Sequence, residues 1–474
     1  MIFTPSIVVD VLLLMIAGIM VGHGLTLKLR RRFVVFDPLN MFWAGAIILY
    51  LYQPIAFFDY FVAWYGQDIL EETLLWVLFG LSFVVIGYEG RWGVRWGKMV
   101  PALPQHLSGH GLFGAALSLI ALGLYGYSGE FASAGGIEKW ASVARGGTDW
   151  DKLSGYWGII TSLLPAGVGL LVLHVEMHRA TPLKRSVAWL VLALMLLWFL
   201  YLGTRGRTII MVMTALMAYY LPRRKNPRPL LLVAVFLALF ATNNFLALYR
   251  GNFSNLSFNL ENINWDKAIA QSLGIFSGTQ VKNEVIVSKG IEFSCTMAAV
   301  KLVPNKIPFN YGYSELEFLT RIVPRSIWPE KRYPHYEAFT PIYQMEDLSR
   351  HWIPYGTTPM LGGPAFGYIG HWYAVGGAVA LVFAGLFTGG LFRAIRTILN
   401  RPEKREGDLV LYMLVIVPIG FGDAASTPLF WITTLPLMLM PLLVLLYLTR
   451  RGDRKLRHAQ GTRRLARVFE NLNP

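Results

Sequence analysis

Cysteine and charge are both scarce in this chain of 474 residues. Its single cysteine, Cys295, excludes an intrachain disulfide. Charged residues make up 15% of the chain and hydrophobic residues 54%, whereas about a quarter of the residues in a soluble domain are charged. This composition excludes a soluble globule, and the long apolar runs indicate a polytopic membrane protein.

Several sequence motifs that carry chemistry are also missing. The chain has no Walker loop for nucleotide phosphates, no His-Glu-x-x-His pair and no Cys/His cluster with metal-ligand spacing. The sequence therefore predicts neither a metal ion nor another cofactor. The first apolar run lacks a basic leader and a small-residue cleavage site, so we expect a retained span rather than a signal peptide.

Apolar windows of about 20 residues, the length that crosses a bilayer as a helix, recur along the whole chain. They predict an all-α polytopic membrane protein with about eleven transmembrane helices. The predicted spans cover residues 4–27, 40–63, 73–89, 109–128, 157–177, 186–203, 206–222, 229–249, 364–392, 408–428 and 430–448.

Positive charge is concentrated in every second connection between these spans. A net charge of +15 can indicate nucleic-acid binding, but excess Lys and Arg in alternate loops of a membrane protein mark the cytoplasmic side. We therefore predict an outside N-terminus, an inside C-terminus and no nucleic-acid partner. The basic segments are residues 28–32, 91–98, 179–185, 223–228, 393–405 and 450–467.

The pattern divides the chain into four regions. A membrane bundle covers residues 1–249, a long outer loop 250–363, three further helices 364–448 and a basic tail 449–474. The loop is far longer than an ordinary connection and too rich in apolar and aromatic residues for a disordered linker. We expect short helices in it, one of them capped by Ser314 and stopped by Pro324.

The stretch "YLGTRGRTII", residues 201–210, places Arg205 and Arg207 between two apolar runs. Because basic residues flank residues 186–221 on both sides, this stretch must turn back on itself, and the glycines of "GTRGR" supply the turn. A charge held there should face a wet, protein-lined cavity. Two guanidinium forks suit a diphosphate; the alternatives are contact with lipid headgroups or pairing with Asp423.

Cations also gather in the outer loop at "TRIVPRSIWPEKRYPHY", residues 320–336. Prolines on both sides of Arg325 stiffen the backbone and favour one aimed side chain. The alternative is a solvated face with local ion pairs. The further basic residues of this stretch are Arg321, Lys331, Arg332 and His335.

The chain resembles the bacterial oligosaccharide repeat unit polymerases, the Wzy-type O-antigen and exopolysaccharide polymerases. The resemblance rests on the "GTRGR" hairpin, on "VPRSIWPEKRYP" in the long outer loop and on "GGPAFGYIGHWYAVGG" entering a span. It implies a GT-C type fold like that of O-antigen ligases and polymerases, in the bacterial inner membrane with the active site facing the periplasm.

The resemblance also implies a reaction. A growing glycan would leave one undecaprenyl diphosphate and join the terminal sugar of another, without metal or nucleotide sugar. Arg205 and Arg207 would bind the donor diphosphate and Arg325 would stabilise the leaving group. The partners would be these lipid-linked oligosaccharides, membrane lipids, and a chain-length regulator and flippase of the same pathway. Further candidates for holding glycan or phosphate are Arg145, Arg250, Arg321 and Arg332.

Transfer to a hydroxyl also needs a base near the acceptor. Our first choice is His351, next to Arg350, although an ordinary hydrogen-bonded loop histidine is an alternative interpretation. Asp423 is a second catalytic candidate or, alternatively, a structural partner of the hairpin arginines. The full set of candidates is His335, His351, Glu315, Glu317, Glu337, Glu346, Asp347 and Asp423.

Three other functions stay open at this point. An O-antigen ligase would share the donor but pass the glycan to a different acceptor. A transporter or flippase for the same lipids would be expected to show an inverted repeat and broken helices with charges at mid-membrane. A scaffold in a polysaccharide assembly complex would not need the arginines.

Overall fold

A computed structural model gives the fold of the chain. It describes residues 5–29, 34–107, 109–137, 139–140, 157, 160–178, 180–201, 205–223, 225–235, 237–239, 242, 291–316, 327–328, 334–345, 366–401, 406–419, 439–440 and 443–444. Within these ranges all regular structure is helical and no strand is found. The all-α prediction is therefore confirmed for the part of the chain that the structure describes.

The helices follow the predicted apolar windows, with differences at their ends. The first seven are α1 Ile7–Leu29, α2 Pro38–Ile47, α3 Gln53–Ala56, α4 Phe58–Tyr65, α5 Gln67–Glu89, α6 Arg91–Met99 and α7 Gly109–Ala134. A π-helical turn, Ile48–Tyr52, joins α2 to α3. The others are α8 Leu163–Met177, α9 Pro182–Tyr201, α10 Arg205–Tyr220, α11 Ile291–Leu302, α12 Pro334–Met345, α13 Gly367–Leu399 and α14 Glu406–Ile419.

Six helices in the described residues are long and apolar enough to cross a membrane. They make the chain a polytopic membrane protein by length and composition, while the number of eleven spans stays a prediction. The six segments are Ile7–Leu29, Pro38–Ala56, Gln67–Glu89, Gly109–Ala134, Pro182–Leu200 and Gly367–Leu399.

Helices α5 and α13 form the tightest pair of the bundle and run in parallel. Gly87 faces the Leu386 carbonyl and Gly389 faces the Val84 carbonyl, so that a Cβ would lie 2.4 Å and 2.1 Å from those oxygens. Only glycine permits two backbones to approach this closely. The pair therefore forms a rigid two-helix core against which α1, α6 and α11 pack.

One end of the bundle is closed by a buried ion pair between α13 and the start of α2. Arg396 Nη1 lies 2.8 Å from Asp37 Oδ2, and both side chains are at least 95% buried. Asp37 Oδ2 also accepts from the Tyr88 hydroxyl at 2.6 Å, and its Oδ1 caps α2 by accepting from Leu39 N at 3.1 Å. The sequence assigns Arg393 and Arg396 to a cytoplasmic loop. The predicted end of the span at residue 392 is wrong, because α13 continues to Leu399. Arg396 is therefore buried in the helix and Arg393 is half-buried, while the cytoplasmic side of both residues stays a prediction.

A second ion cluster fastens the α9–α10 hairpin to α8. The buried Glu176 carboxylate binds Arg185 at the start of α9 at 2.8 Å and Arg223 just beyond α10 at 2.5 Å. Trp189 Nε1 donates to the same carboxylate at 3.0 Å. Because the start of α9 and the residue after α10 bind the same carboxylate, the two helices run in opposite directions. The turn between them, residues 202–204, lies outside the described residues, so its position at the outer side stays a prediction.

The two ion clusters lie at the same end of the bundle, which we call the basic end. Val35 N, just before α2, donates to Asn226 Oδ1 beyond α10 at 3.2 Å, and the rings of Phe36 and Tyr220 are 6.4 Å apart. Helices α10 and α13 both finish here. Their first residues, Arg205 and Gly367, consequently lie at the opposite end, which we call the distal end.

Candidate functional site

Helix α13 is broken one-third of the way along its length. Gly376 and Gly377 have non-helical torsions, with φ of 59° at Gly377. The carbonyls that lose their helical partners at the break accept from the loop before the Tyr313–Leu316 turn: Asn310 N reaches Ala374 O at 3.1 Å and Tyr311 N reaches Val375 O at 2.8 Å. The loop is thereby fastened to the break, and residues 367–375 form a separate distal segment.

The distal segment and the fastened loop bring a histidine and a carboxylate together. His371 Nε2 lies 2.7 Å from Glu315 Oε1, and the His371 side chain is only 2% exposed. Because a carboxylate only accepts, Nε2–H is the donor. Phe339 of α12 stacks on the His371 ring, with centroids 5.2 Å apart and planes 27° apart. The pair is thus held in one orientation between α12 and α13.

One carboxylate oxygen of Glu315 is hydrogen-bonded, and the other has no partner among the described residues. Its Oε1 also receives the Ser314 hydroxyl at 3.3 Å, whereas the buried Oε2 has no hydrogen-bond partner within the described ranges. The Asn310 side chain fixes this turn by accepting from Gly312 N at 3.0 Å and from Ser314 at 3.4 Å. The arrangement presents an oriented carboxylate oxygen that can accept a proton or a hydrogen bond.

Two side chains of the α2–α3 region accept hydrogen bonds from the first residues of α11 and α13. The π-helical turn comes just before Pro54, which lacks the N–H that a regular helix needs. Next to it, Gln53 Oε1 accepts from Phe293 N at the start of α11, and the Tyr50 hydroxyl accepts from Ile369 N at the start of α13, both at 3.0 Å. The irregular turn therefore caps the two helices that flank the His371–Glu315 pair.

The predicted site residues are only partly reached by the structure. Arg205 and Arg207 lie in the first turn of α10 and His335 in the first turn of α12, four residues before Phe339; their side chains are outside the described residues. The other predicted residues lie wholly outside the described ranges. These are Arg145, Arg250, Arg321, Arg325, Arg332, His351 and Asp423.

Ser314 and Glu337, two residues of the long loop with predicted roles, lie within the described residues. Ser314 is the second residue of the short 3₁₀ turn Tyr313–Leu316, and its hydroxyl contacts Asn310 and Glu315. The helix that it was predicted to cap, up to Pro324, lies outside the described residues. Glu337, one of the candidate bases, accepts from the Tyr313 hydroxyl at 2.6 Å. That bond joins α12 to the turn that carries Glu315.

His371 is the residue that the sequence analysis missed. Glu315 is among the predicted bases, but His371 lies in the glycine-rich "GYIGHWYAVGG", which is interpreted there as helix packing. Its position inside a predicted span is the sequence feature that indicates it, because ionisable residues within spans mark functional positions. In the part of the chain that the structure describes, no group of three or more His, Cys, Asp or Glu side chains could hold a metal ion.

No family model, no curated protein and no solved structure matches this chain. The class that the observations define is an all-helical polytopic membrane protein. Its described residues place a buried histidine–carboxylate pair at the distal end, opposite the basic clusters.

Replacing Gly377 with Ala should destabilise the protein and loosen the distal segment. At φ of 59° and ψ of −138°, a conformation that residues with a Cβ rarely adopt, the change costs about 1–3 kcal/mol, and the Cβ would also lie 3.0 Å from Phe309 Cζ. We expect a lower thermal unfolding temperature for the purified protein in detergent. Gly114→Ala is the matched control, because its Cβ would meet nothing within 4 Å in the regular helix α7. Equal effects of the two changes would show that the break is not strained.

Proposed function

We propose that this chain is a glycosyltransferase, a polysaccharide polymerase that joins undecaprenyl-diphosphate-linked oligosaccharide repeat units at the periplasmic face of the bacterial inner membrane. One observation carries the proposal. The start of α10, with Arg205 and Arg207, lies at the same end of the bundle as the His371–Glu315 pair, away from both basic-end ion clusters.

The distribution of charge supports a periplasmic distal end. Basic segments of a membrane protein are retained in the cytoplasm. In this chain Arg185, Arg223 and Arg396, one from each of three predicted basic segments or their borders, lie at the basic end. We therefore assign the distal end to the side where lipid-linked repeat units are polymerised.

The hairpin suits the donor. A diphosphate leaving group mainly needs its negative charge met. Two guanidinium forks can do this with paired charge-assisted hydrogen bonds, and the first turn of α10 adds backbone N–H groups at the positive end of a helix dipole. Arg205 and Arg207 bind the diphosphate in this proposal, and Arg325 stabilises the same leaving group.

Glu315 suits the acceptor. Its Oε2, which has no hydrogen-bond partner among the described residues, takes the proton of the acceptor hydroxyl while the hydroxyl oxygen forms the new bond to the anomeric carbon of the donor. The bond from that carbon to the diphosphate oxygen breaks, and the leaving group carries away the electron pair. His371 acts as a positioning residue, because its Nε2–H holds Oε1 at 2.7 Å.

A second candidate is a transporter or flippase for the same lipid-linked oligosaccharides. The break at Gly376–Gly377 favours it, because discontinuous helices often build substrate sites in transporters. An O-antigen ligase is the other alternative. It differs from the polymerase only in the acceptor.

The test is a transfer assay on the purified chain with an undecaprenyl-diphosphate oligosaccharide, without nucleotide or metal. Wild type should give a ladder of longer products. Arg205→Lys should lower the rate about 10- to 100-fold, because a charge-assisted hydrogen bond contributes about 1.5–3 kcal/mol. Arg228→Lys is the matched control, since Arg228 is exposed beyond α10 at the basic end.

Three other outcomes would contradict the proposed recognition or the proposed reaction. Full polymerisation by Arg205→Lys would exclude recognition by a guanidinium fork. Products that are one transfer long, on a foreign acceptor, would identify a ligase. Movement of lipid across vesicles without any transfer would identify a flippase.

A further inference from the structure

Helix α6 has three distinct faces, each made of residues at helical spacing. Gly93 and Gly97 are buried against α13. Trp92, Trp96 and Met99 form a second face on which the three side chains are 36%, 37% and 76% exposed. Three basic residues form the third face, and all of them are exposed: Arg91, Arg95 and Lys98.

The glycine face fixes α6 to the bundle. A Cβ on Gly93 would lie 2.5 Å from the Gly390 carbonyl, and one on Gly97 would lie 2.6 Å from the Ala394 carbonyl. The far end of α6 is held by Arg401, whose Nη2 donates to Gly97 O at 3.1 Å and whose Nη1 donates to Pro101 O at 3.3 Å. Helix α6 is therefore a fixed part of the bundle, and its other two faces are presented rigidly.

The position of α6 is set by the span before it. Helix α5 has 23 residues, about 34 Å at 1.5 Å per residue, and so covers a hydrocarbon core of about 30 Å by itself. Gly90 then takes extended torsions, and α6 begins at the next residue. It lies beside the last turns of α13 at the basic end, and the length of α5 therefore puts it where a hydrocarbon core would end.

The cations of the basic face form no ion pair with the described residues. Among the described residues no carboxylate lies within ion-pair distance of Arg91, Arg95 or Lys98, and α6 itself contains no acid. The adjoining face carries two tryptophans, a side chain that favours the boundary between headgroups and acyl chains. A helix with exposed cations beside exposed Trp and Met fits an anionic lipid surface.

We propose that α6 is a binding site for anionic phospholipid at the basic end of the bundle. The cations of its basic face bind headgroup phosphates, while Trp92, Trp96 and Met99 enter the boundary layer beside them. This inference is independent of the proposed glycosyl transfer, because it uses no residue of the distal end.

The first test measures lipid selectivity of the full chain. Wild type in mixed phosphatidylcholine and phosphatidylglycerol nanodiscs should retain phosphatidylglycerol in native mass spectrometry. The double variant Arg91→Gln/Arg95→Gln should lower this preference about fivefold for each cation removed. The matched control Lys225→Gln/Arg228→Gln removes two exposed cations from a loop at the same end.

An equal loss of phosphatidylglycerol preference in both double variants would show that only overall surface charge matters, and would contradict a specific site on α6. No loss in either would overturn it as well. Displacement of the bound phosphatidylglycerol by soluble glycerol phosphate would point to a free-phosphate site instead of a lipid site. Transfer activity plays no part in these readouts, so failure here leaves the proposed function untouched.

A second test locates the exposed face directly. Met99→Cys gives a labelling position for a nitroxide, because the natural Cys295 is buried. In liposomes the label should collide with lipid-soluble oxygen and be shielded from a water-soluble nickel complex. Free access of the nickel complex would overturn the proposal. Dipolar broadening between labels would overturn it too, by showing that a second copy of the chain covers this face.

Discussion

Glu315→Gln should abolish most glycosyl transfer while leaving the protein folded. Glutamine has the same shape and still offers an oxygen to His371 Nε2–H, so the 2.7 Å contact can persist. It cannot accept the proton of an attacking hydroxyl, and the loss of a general base typically lowers a rate about 10²- to 10⁴-fold. The measurement is the initial rate of the ladder assay, together with thermal unfolding of the same preparation.

Glu337→Gln is the matched control for this experiment. Glu337 is exposed, accepts only the Tyr313 hydroxyl among the described residues and belongs to the same distal region. Its change should alter the rate by less than Glu315→Gln does. His371→Gln should fall between the two, because it releases Oε1 without removing the carboxylate. Full activity of a correctly folded Glu315→Gln protein would rule out Glu315 as the base.

Arg396→Met should produce the largest loss of stability. Methionine fills similar space but leaves Asp37 buried without its cation, and breaking a buried ion pair in this way typically costs about 3–5 kcal/mol. The pair joins α2, α5 and α13 through Asp37, Tyr88 and Arg396, so the basic end should open first. The measurement is the thermal unfolding temperature in detergent, with size-exclusion profiles as a check on assembly.

Two comparisons make this prediction specific. Arg393→Met alters the same helix three residues earlier, where the guanidinium lies 5.4 Å from the Tyr88 ring centroid and has no carboxylate partner among the described residues. Arg393→Met should lower the free energy of unfolding by only about 0.5–1 kcal/mol. Adding Asp37→Asn to Arg396→Met should recover much of the lost stability, because asparagine can still cap α2 without a charge. If the double variant were as unstable as Arg396→Met alone, an unpaired carboxylate would not be the cause.

The Arg396→Met protein should also respond to pH with a definite sign. Burial raises the pKa of the Asp37 carboxyl, and Arg396 opposes that shift. Without Arg396 the folded protein binds this proton more readily than the unfolded chain does, so stability falls as pH rises above the ordinary aspartate range. The deficit of the variant relative to wild type should therefore narrow as the pH is lowered.

The apolar windows predicted most of what the structure describes about the helices. A run of about 20 apolar residues has only one low-energy arrangement in a bilayer, so α1, α5, α7, α9 and α13 could be placed from composition. The hairpin followed from charge alone, since basic residues on both flanks of residues 186–221 required the chain to return. The ends of helices were less predictable: α13 runs past its predicted end at 392 to Leu399 and buries Arg396.

The His371–Glu315 pair could not be predicted because it joins residues 56 positions apart. Its formation depends on the break at Gly376–Gly377, on the loop that binds the broken carbonyls and on the stacking of Phe339. None of these contacts has a local pattern. The three faces of α6 are likewise not predicted, because the sequence pattern places its cations in a cytoplasmic connection.

The sequence by itself determined the class of this protein, the hairpin and the segregation of positive charge, because hydrophobic length and charge act on each segment independently of its neighbours. Only the tertiary structure decided which charges are buried, which helix is interrupted and which carboxylate is oriented for chemistry. Those properties depend on distances between segments far apart in the chain, and such distances exist only after the helices have packed.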